Sequence, residues 1–143
     1  MKGFTKLSFV IFTLIASLLF SESPSKACAP NRKCSVDFTL HFDADQTQPQ
    51  KKDFSLMNDL LPFIKRNHVK FKKIRIEGHA DAQEKSPQNL SEKRSLFVRD
   101  YLIGQGMDPS QLETIGYGDS RPKGSPKTED GRAQNRRVEF EEL

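Results

Sequence analysis

The chain has 143 residues, of which 35% are hydrophobic and 29% are charged, and its formal net charge is +4. This length allows one domain rather than two. The first 27 residues contain three lysines and one glutamate, so the net charge of the remainder falls to +2. A charge balance so close to neutral does not indicate a nucleic-acid partner.

The N-terminal segment has the pattern of a secretory signal. Lys2 and Lys6 precede a near-continuous apolar run over residues 7–20, which is too short to span a bilayer comfortably. Small residues at Ser25 and Ala27 predict cleavage after Ala27. An uncut N-terminus, amphipathic or anchored in the membrane, is the alternative. The first interpretation predicts export, which argues further against nucleic acid.

Cleavage there divides the chain into a signal peptide over residues 1–27, a leader over 28–35 and one domain over 36–143. The leader contains both cysteines, Cys28 and Cys34. In an oxidising compartment they could form a disulfide, whose small loop would stabilise the fold by only about 2 kcal/mol. Alternatively, Cys28 is the lipidated first residue of an outer-membrane lipoprotein. The preceding residues Ser-Lys-Ala depart from the usual lipidation signal, so we favour the disulfide.

The first half of the domain predicts a strand, a helix and a second strand. Apolar and polar residues alternate from Val36 to Phe42, which is typical of a half-buried strand. A helical stripe of apolar residues runs from Phe54 to Ile64, and Pro62 within it predicts a kink or an early end. A second strand is predicted from Phe71 to Glu77.

The second half predicts one more helix and two more strands. Ser91 is a suitable N-cap for a helix that ends near Gln105. A third strand is predicted from Thr114 to Tyr117, followed by a long loop over residues 118–131 and a last strand over 136–141. The order β-α-β-α-β-β predicts an α+β fold, a small mixed β-sheet with helices packed on one face.

A series of motifs recurs in order along this domain. They read LHFDAD, IRIEGHAD, LSEKR, YLIGQGMDPSQL, IGYGDSRP and GRAQNRRVEF. The ordered set resembles the OmpA-like C-terminal domain family, shared by OmpA, Pal and MotB, and the resemblance covers about residues 36–143. That family binds the peptide stem of peptidoglycan, typically at its diaminopimelate. The resemblance implies a periplasmic, cell-wall-associated binding protein that is not an enzyme and needs no cofactor. Outer-membrane proteins or lipid are further partners to consider.

The resemblance assigns the two charges of the ligand to Asp81 and Arg94. The end group of diaminopimelate carries an ammonium and a carboxylate on one carbon, so it needs an anion and a cation set close together. The family binds the ammonium with the aspartate of its GHxD motif and the carboxylate with the arginine of its LSxxR motif. With Ser91 as N-cap, Arg94 would lie in the first helical turn, where the helix end also favours an anion. Both side chains are expected to line an open cleft; a turn aspartate and a solvated arginine are the alternatives.

Three further residues are candidate ligand contacts. Asp45 aligns with a polar family position that contacts the ligand, and a turn residue is an equally good interpretation. Arg136 is expected on the inward face of the last strand, where a charge must be paired or bound to ligand. A structural ion pair is the alternative for Arg136. Asn135 is expected directly behind these contacts.

The loop from Asp81 to Leu90 departs from the family pattern. Ala80 replaces the usual threonine, the loop is shorter than usual, and Pro87 replaces a customary asparagine. These changes remove hydrogen-bonding groups from the pocket wall. We expect them to alter the strength and selectivity of ligand binding.

Other functions remain open at this stage. Asp45 and Asp81 could serve as the paired carboxylates of a cell-wall hydrolase, and the altered loop favours a structural or partner protein whose pocket has degraded. A metal site at His79 and Asp81 lacks a third ligand nearby, so we predict none. One cluster of basic residues is predicted to form a solvated face, with anionic lipid or glycan as an alternative contact: Lys65, Arg66, Lys70, Lys72, Lys73 and Arg75.

Overall fold

A computed structural model describes residues 38–67 and 72–143. The predicted signal peptide, the leader and both cysteines lie outside the described residues. The elements in chain order are β1 (Leu40–His41), α1 (Phe54–Asn67), β2 (Ile74–Gly78), α2 (Pro87–Gly104), β3 (Leu112–Gly116), α3 (Glu129–Asn135) and β4 (Arg137–Glu142). Within these ranges, no helix is both long enough and apolar enough to cross a membrane.

The strands form one mixed sheet in the order β1-β4-β2-β3. β4 pairs antiparallel with both β1 and β2, whereas β2 and β3 pair parallel and are joined through α2. This confirms the predicted α+β class. The strand β1 is shorter than predicted within the described residues, and β3 begins at Leu112 instead of Thr114.

One face of the sheet carries the hydrophobic core. The apolar side chains that alternate along β2 and β4 pack against the apolar faces of α1 and α2. The buried cluster includes Ile74, Ile76, Val138, Phe140, Met57, Leu60, Ile64, Val98 and Leu102. Buried residues therefore alternate along the strands and recur every three or four residues along the helices, as the sequence predicted.

Helix α1 continues past Pro62 to Asn67, so the early end predicted there does not occur. Pro62 itself is exposed, while Leu61 and Ile64 on either side of it are buried. Both neighbours belong to the hydrophobic core, and their burial outweighs the local cost of the proline.

A third helix replaces the end of the predicted long loop. The hydroxyl of Thr128 accepts a hydrogen bond from the N–H of Gly131 and caps α3. Only Gly131 and Asn135 of this helix are buried, so it has no apolar stripe that a sequence pattern could reveal. Helix α3 leads directly into β4 and sets the position of Arg136.

Helix α2 begins five residues earlier than predicted, since its N-cap is Ser86 and not Ser91. Pro87 occupies the first turn, a position that proline favours because it lacks the N–H left unpaired there. The predicted N-cap, Ser91, is buried inside α2, where its hydroxyl donates to the carbonyl of Gln88 and accepts from the N–H of Gly118. Arg94 therefore lies in the helix interior and not in the first turn.

The N-terminal half of α2 lies unusually close to the sheet. A Cβ atom on Gly78 would stand 1.9 Å from the carbonyl oxygen of Ser91, and one on Gly116 would stand 2.7 Å from the Ser91 hydroxyl. Glycine at these two strand ends is what lets the helix approach. The close approach carries Arg94 to the loops that follow β1 and β2.

Candidate functional site

Arg94 is the largest fully buried side chain among the described residues, with 0% of its surface exposed. Its Nε donates to the carbonyl of Gln46 at 2.9 Å. The two terminal nitrogens donate to the carbonyls of His79 and Asp43, at 3.1 and 3.2 Å, and to the carboxylate of Glu84. All five N–H groups of the guanidinium are thereby used. The expectation that Arg94 lines an open cleft is wrong for this conformation.

The carboxylate of Glu84 is the anion that faces Arg94. The N–O distances are 2.6 and 2.9 Å, a two-point ion pair, and the Glu84 side chain is only 1% exposed. Each Glu84 oxygen also accepts one backbone N–H, from Asp45 and from Asp81, both at 2.9 Å. Four donors therefore converge on one carboxylate, the pattern by which proteins bind such groups most strongly.

Arg94, Glu84 and the N–H groups that Glu84 accepts form one buried cluster, the Arg94 cluster. Asp45 contributes to it through its backbone. Its φ of 58° lies in the left-handed region, which aspartate tolerates better than most residues. This turn directs its N–H towards Glu84, while its exposed carboxylate accepts the N–H of Lys85 at 3.1 Å. The turn interpretation of Asp45 therefore describes its conformation.

Asp81 and Arg136 form a second buried ion pair beside the first. Asp81 is 2% exposed, and its Oδ2 lies 3.3 Å from Nη1 of Arg136. The guanidinium of Arg136 also reaches Glu129 at 2.8 Å and the carbonyl of Phe42 at 3.3 Å. Burial alone would lower the pKa of Arg136, but the hydrogen bonds to Glu129 and Asp81 outweigh it and raise this pKa above its ordinary value. Arg136 is the residue between α3 and β4, so the expected place on the inward face of the last strand is wrong. Asp81 is buried against this cation and does not line an open cleft.

The side-chain amide of Asn135 binds backbone groups of the loop before α3. Its side-chain oxygen accepts the N–H groups of Lys123 and Gly124, and its amide nitrogen donates to the carbonyl of Gly124. These contacts fasten the loop before α3 to the end of that helix. Asn135 therefore holds the backbone that carries Arg136.

The two acids considered for a hydrolase, Asp45 and Asp81, differ in their surroundings. The carboxylate of Asp45 is exposed and accepts a backbone N–H, whereas that of Asp81 is buried and paired with Arg136.

On the opposite side of the sheet, His79 is buried at 1% exposure and stacks on Tyr117 with ring centroids 5.5 Å apart. Burial lowers the pKa of His79 to about 4, assisted by the positive charge of Arg137. One ring nitrogen of His79 and one carboxylate oxygen each of Glu77 and Glu139 lie within 4.8 Å of one another. This is the grouping nearest to a metal site among residues 38–67 and 72–143.

Basic side chains of the protein already pair with these carboxylates. Glu139 pairs with Lys123 and with Arg137, the latter at 3.2 Å, and Arg121 lies 3.9 Å from Glu77. A divalent ion would have to displace these groups against their positive charge. The cluster is best described as an ion-pair network of the protein's own side chains. The pair first considered, His79 with Asp81, is separated because Asp81 turns towards Arg136.

The basic residues on the surface have several environments. Lys65, Arg66, Lys72 and Lys73 are exposed, which agrees with the predicted solvated face, and Lys70 lies outside the described residues. Arg75 instead pairs with Glu113 and Glu141 across the sheet, at 3.0 and 2.8 Å.

The residue that sequence reasoning missed is Glu84. Its environment follows from contacts with residues up to 39 positions away, such as Asp45, and no local pattern marks it. The only available signal was the altered length and composition of the loop in which it lies.

Comparison with known proteins identifies relatives of this chain. The family model described as the OmpA family matches residues 41–136. The Outer membrane porin F of Pseudomonas aeruginosa is 34% identical over 109 residues, which is 74% of this chain and 31% of that protein. The Peptidoglycan-associated lipoprotein of Buchnera aphidicola is 34% identical over 101 residues, 69% of this chain and 57% of that protein. The chain thus spans about a third of the first relative's length and somewhat more than half of the second's.

A solved structure supports the same relationship. The crystal structure of the peptidoglycan-associated lipoprotein from Burkholderia pseudomallei superposes with a TM-score of 0.64 at 27% sequence identity. The match covers 71% of this chain and 86% of that one.

Proposed function

Because the chain belongs to the OmpA family, we propose that it binds peptidoglycan non-covalently through the diaminopimelate of the peptide stem. In this role it would help to anchor or organise the cell envelope. The names of its relatives support the first part of this proposal, since the proteins of Buchnera and Burkholderia are called peptidoglycan-associated lipoproteins.

The observation that carries the proposal is the convergence of donors around Arg94. Its guanidinium and the N–H groups of Asp45 and Asp81 all point at one carboxylate position. Such an arrangement would suit the carboxylate of a diaminopimelate end group. The Asp81 carboxylate, close to this position through its own N–H, would then receive the ammonium.

Arg136 and Asn135 would act behind these contacts. Arg136 orients the carboxylate of Asp81 from the side opposite the ligand, and Asn135 fastens the loop and helix from which Arg136 extends. We propose that the side chain of Asp45, which is exposed, lies at the rim of the site.

The family and the names of the relatives also support a periplasmic location next to the cell wall. If Cys28 carried a lipid, the chain would be attached to the outer membrane at its N-terminus and to the cell wall through the proposed site. Catalysis forms no part of the proposal, because binding of a stem peptide needs only the charged groups described above.

A second candidate function follows from Glu84. Since this residue already fills the position in front of Arg94, the same structure suits a structural or partner protein that kept the fold and lost the ligand. The two candidates differ in whether the protein as it stands recognises peptidoglycan.

Co-sedimentation with purified sacculi, followed by calorimetric titration with a diaminopimelate-containing stem peptide, tests the proposal. We expect the protein to pellet with sacculi without releasing soluble muropeptides. A stem peptide with lysine in place of diaminopimelate is the matched control, because lysine lacks the side-chain carboxylate. Equal affinity for both peptides would contradict the proposed chemistry, and release of muropeptides would favour a hydrolase.

A further inference from the structure

The carboxylate of Glu84 lies in front of Arg94, in the position proposed for the ligand carboxylate. Each of its two oxygens accepts one N–H of Arg94 and one backbone N–H, from Asp45 or Asp81. The ring of Phe42 closes the site behind the guanidinium, with its centroid 5.0 Å from Cζ of Arg94. These groups form a complete binding site for one carboxylate, and the carboxylate of Glu84 occupies it.

We propose that Glu84 is an internal competitor for the ligand carboxylate, so that a ligand can bind only when Glu84 leaves Arg94. This inference rests on the proposed function, since it concerns the same site. It commits to the ligand class, a carboxylate with an ammonium on the neighbouring carbon, and assigns to Glu84 the control of affinity and selectivity.

Mutual exclusion follows from the donors that are present. All five N–H groups of Arg94 are engaged, two of them by Glu84. A second carboxylate could not share these donors without leaving two anions in a place that water does not reach, and such an arrangement is strongly unfavourable. Exchange of one carboxylate for another, in contrast, preserves every charge-assisted hydrogen bond.

The position of Glu84 in the chain makes its departure feasible. It lies in the loop between β2 and α2, and its neighbours Ala82, Gln83 and Lys85 are exposed. The loop is held at one side by the contact of Asp81 with Arg136, which does not involve Glu84. Rotation of the Glu84 side chain into solvent would therefore open this binding site while Asp81 stays in place.

The experiment compares Glu84→Ala, Glu84→Gln and wild type in calorimetric titrations with the diaminopimelate-containing stem peptide. A competing internal group reduces apparent affinity by the fraction of open molecules. If that fraction is about 1–10%, which lies within the range for a minor state, Glu84→Ala should bind about tenfold to a hundredfold more tightly. Glu113→Ala is the matched control, because Glu113 is half exposed and pairs with Arg75 away from the site. Its affinity should equal that of wild type.

Glu84→Gln serves if Glu84→Ala does not fold, because glutamine keeps the shape and removes the charge. We expect it to increase affinity less than alanine does, since its amide oxygen still accepts from Arg94. A purely structural ion pair would lose stability in both variants without any gain in affinity. Affinity equal to or below that of wild type in a folded Glu84 variant, measured where wild type does bind, would overturn the inference.

Acetate is a second probe that does not depend on peptidoglycan. It should raise the Tm of Glu84→Ala by several degrees and leave that of wild type and of the Glu84→Ala, Arg94→Ala double variant unchanged. A rise in Tm without stem-peptide binding by any variant would refute the proposed function and still support a carboxylate site filled by Glu84. No rise in folded Glu84→Ala, with no gain in peptide affinity, would refute the inference itself.

Discussion

Arg94 and Glu84 form a two-point ion pair, with N–O distances of 2.6 and 2.9 Å, between side chains that are 0% and 1% exposed. They come from the interior of α2 and from the loop before it. Both charges are buried, so the ion pair contributes to the stability of the fold and also sets the charge at the proposed site. A substitution at Arg94 is therefore expected to affect both.

Replacement of Arg94 by alanine should destabilise the protein substantially. It leaves the Glu84 carboxylate buried without its cation, and loss of one partner from a buried pair costs about 3–5 kcal/mol. Urea unfolding followed by circular dichroism measures this change. Arg99→Ala is the control on the same helix, because Arg99 pairs with exposed Asp100 and should cost less than about 1 kcal/mol. Equal effects of the two substitutions would mean that the Arg94 pair contributes no more than a surface pair.

Replacement of Asp81 by asparagine should weaken binding of the stem peptide while keeping the side chain's shape. Loss of a charge-assisted contact of about 1.5–3 kcal/mol corresponds to a loss of affinity of roughly tenfold to a hundredfold. Calorimetric titration of a folded variant measures this change. Asp119→Asn, in an exposed turn, is the matched control and should bind like wild type. Full affinity in Asp81→Asn would remove Asp81 from the proposed site.

The closeness of α2 to the sheet can be tested at Gly78. Gly78→Ala would place a Cβ 1.9 Å from the backbone oxygen of Ser91, so the helix must shift, and overpacking of this kind costs about 1–3 kcal/mol or more. Gly104→Ala, with nothing within 4 Å of the new Cβ, should be neutral or stabilise the end of α2 by up to about 1 kcal/mol. Thermal unfolding compares the two variants. A Tm for Gly78→Ala as high as that of wild type would contradict the tight contact.

Stability should depend on pH through His79. Its pKa is lowered to about 4 by burial, whereas the unfolded chain has an ordinary histidine pKa near 6.5. The unfolded state therefore binds a proton first, and stability present above pH 6.5 is lost as the pH falls towards 4, by at most about 3 kcal/mol.

His79→Phe should remove this loss and keep the stacking against Tyr117. Burial raises the pKa of Glu77, which works in the opposite direction, but Glu77 is present in both proteins. The difference between the two unfolding curves from pH 7 to 4.5 therefore isolates the histidine. Identical slopes for the two proteins would contradict a depressed His79 pKa.

The processing of the N-terminus remains a prediction from the sequence. We expect a mature chain that starts at Cys28, carries no acyl group and contains a Cys28–Cys34 disulfide. Intact-mass spectrometry of protein from the native host, before and after reduction, measures all three features. A diacylglyceryl mass on Cys28 would show a lipoprotein instead. Replacing both cysteines by serine should reduce stability by only about 2 kcal/mol, because the loop that they close is short.

Patterns in the sequence were sufficient for the fold class and for two of the central site residues, but not for Glu84. The alternation of apolar residues predicted β2 and β4, and the helical stripe predicted α1, because burial of one face imposes the period of the element. The motifs also singled out Asp81 and Arg94, whose backbone N–H and guanidinium converge on a single carboxylate. In contrast, α3 escaped prediction because it buries no apolar stripe.

Only the tertiary structure decided what these residues contact. Arg94 reaches the carbonyl of Gln46, 48 positions away, and Arg136 reaches Asp81, 55 positions away. Such pairings depend on how closely α2 packs on the sheet, which the glycines at the strand ends permit. The ion pair with Glu84 depends in addition on the path of a short loop. Burial and partner choice arise from the whole packing of helix, sheet and loops, so no local pattern could reveal that the arginine already faces an anion of its own chain.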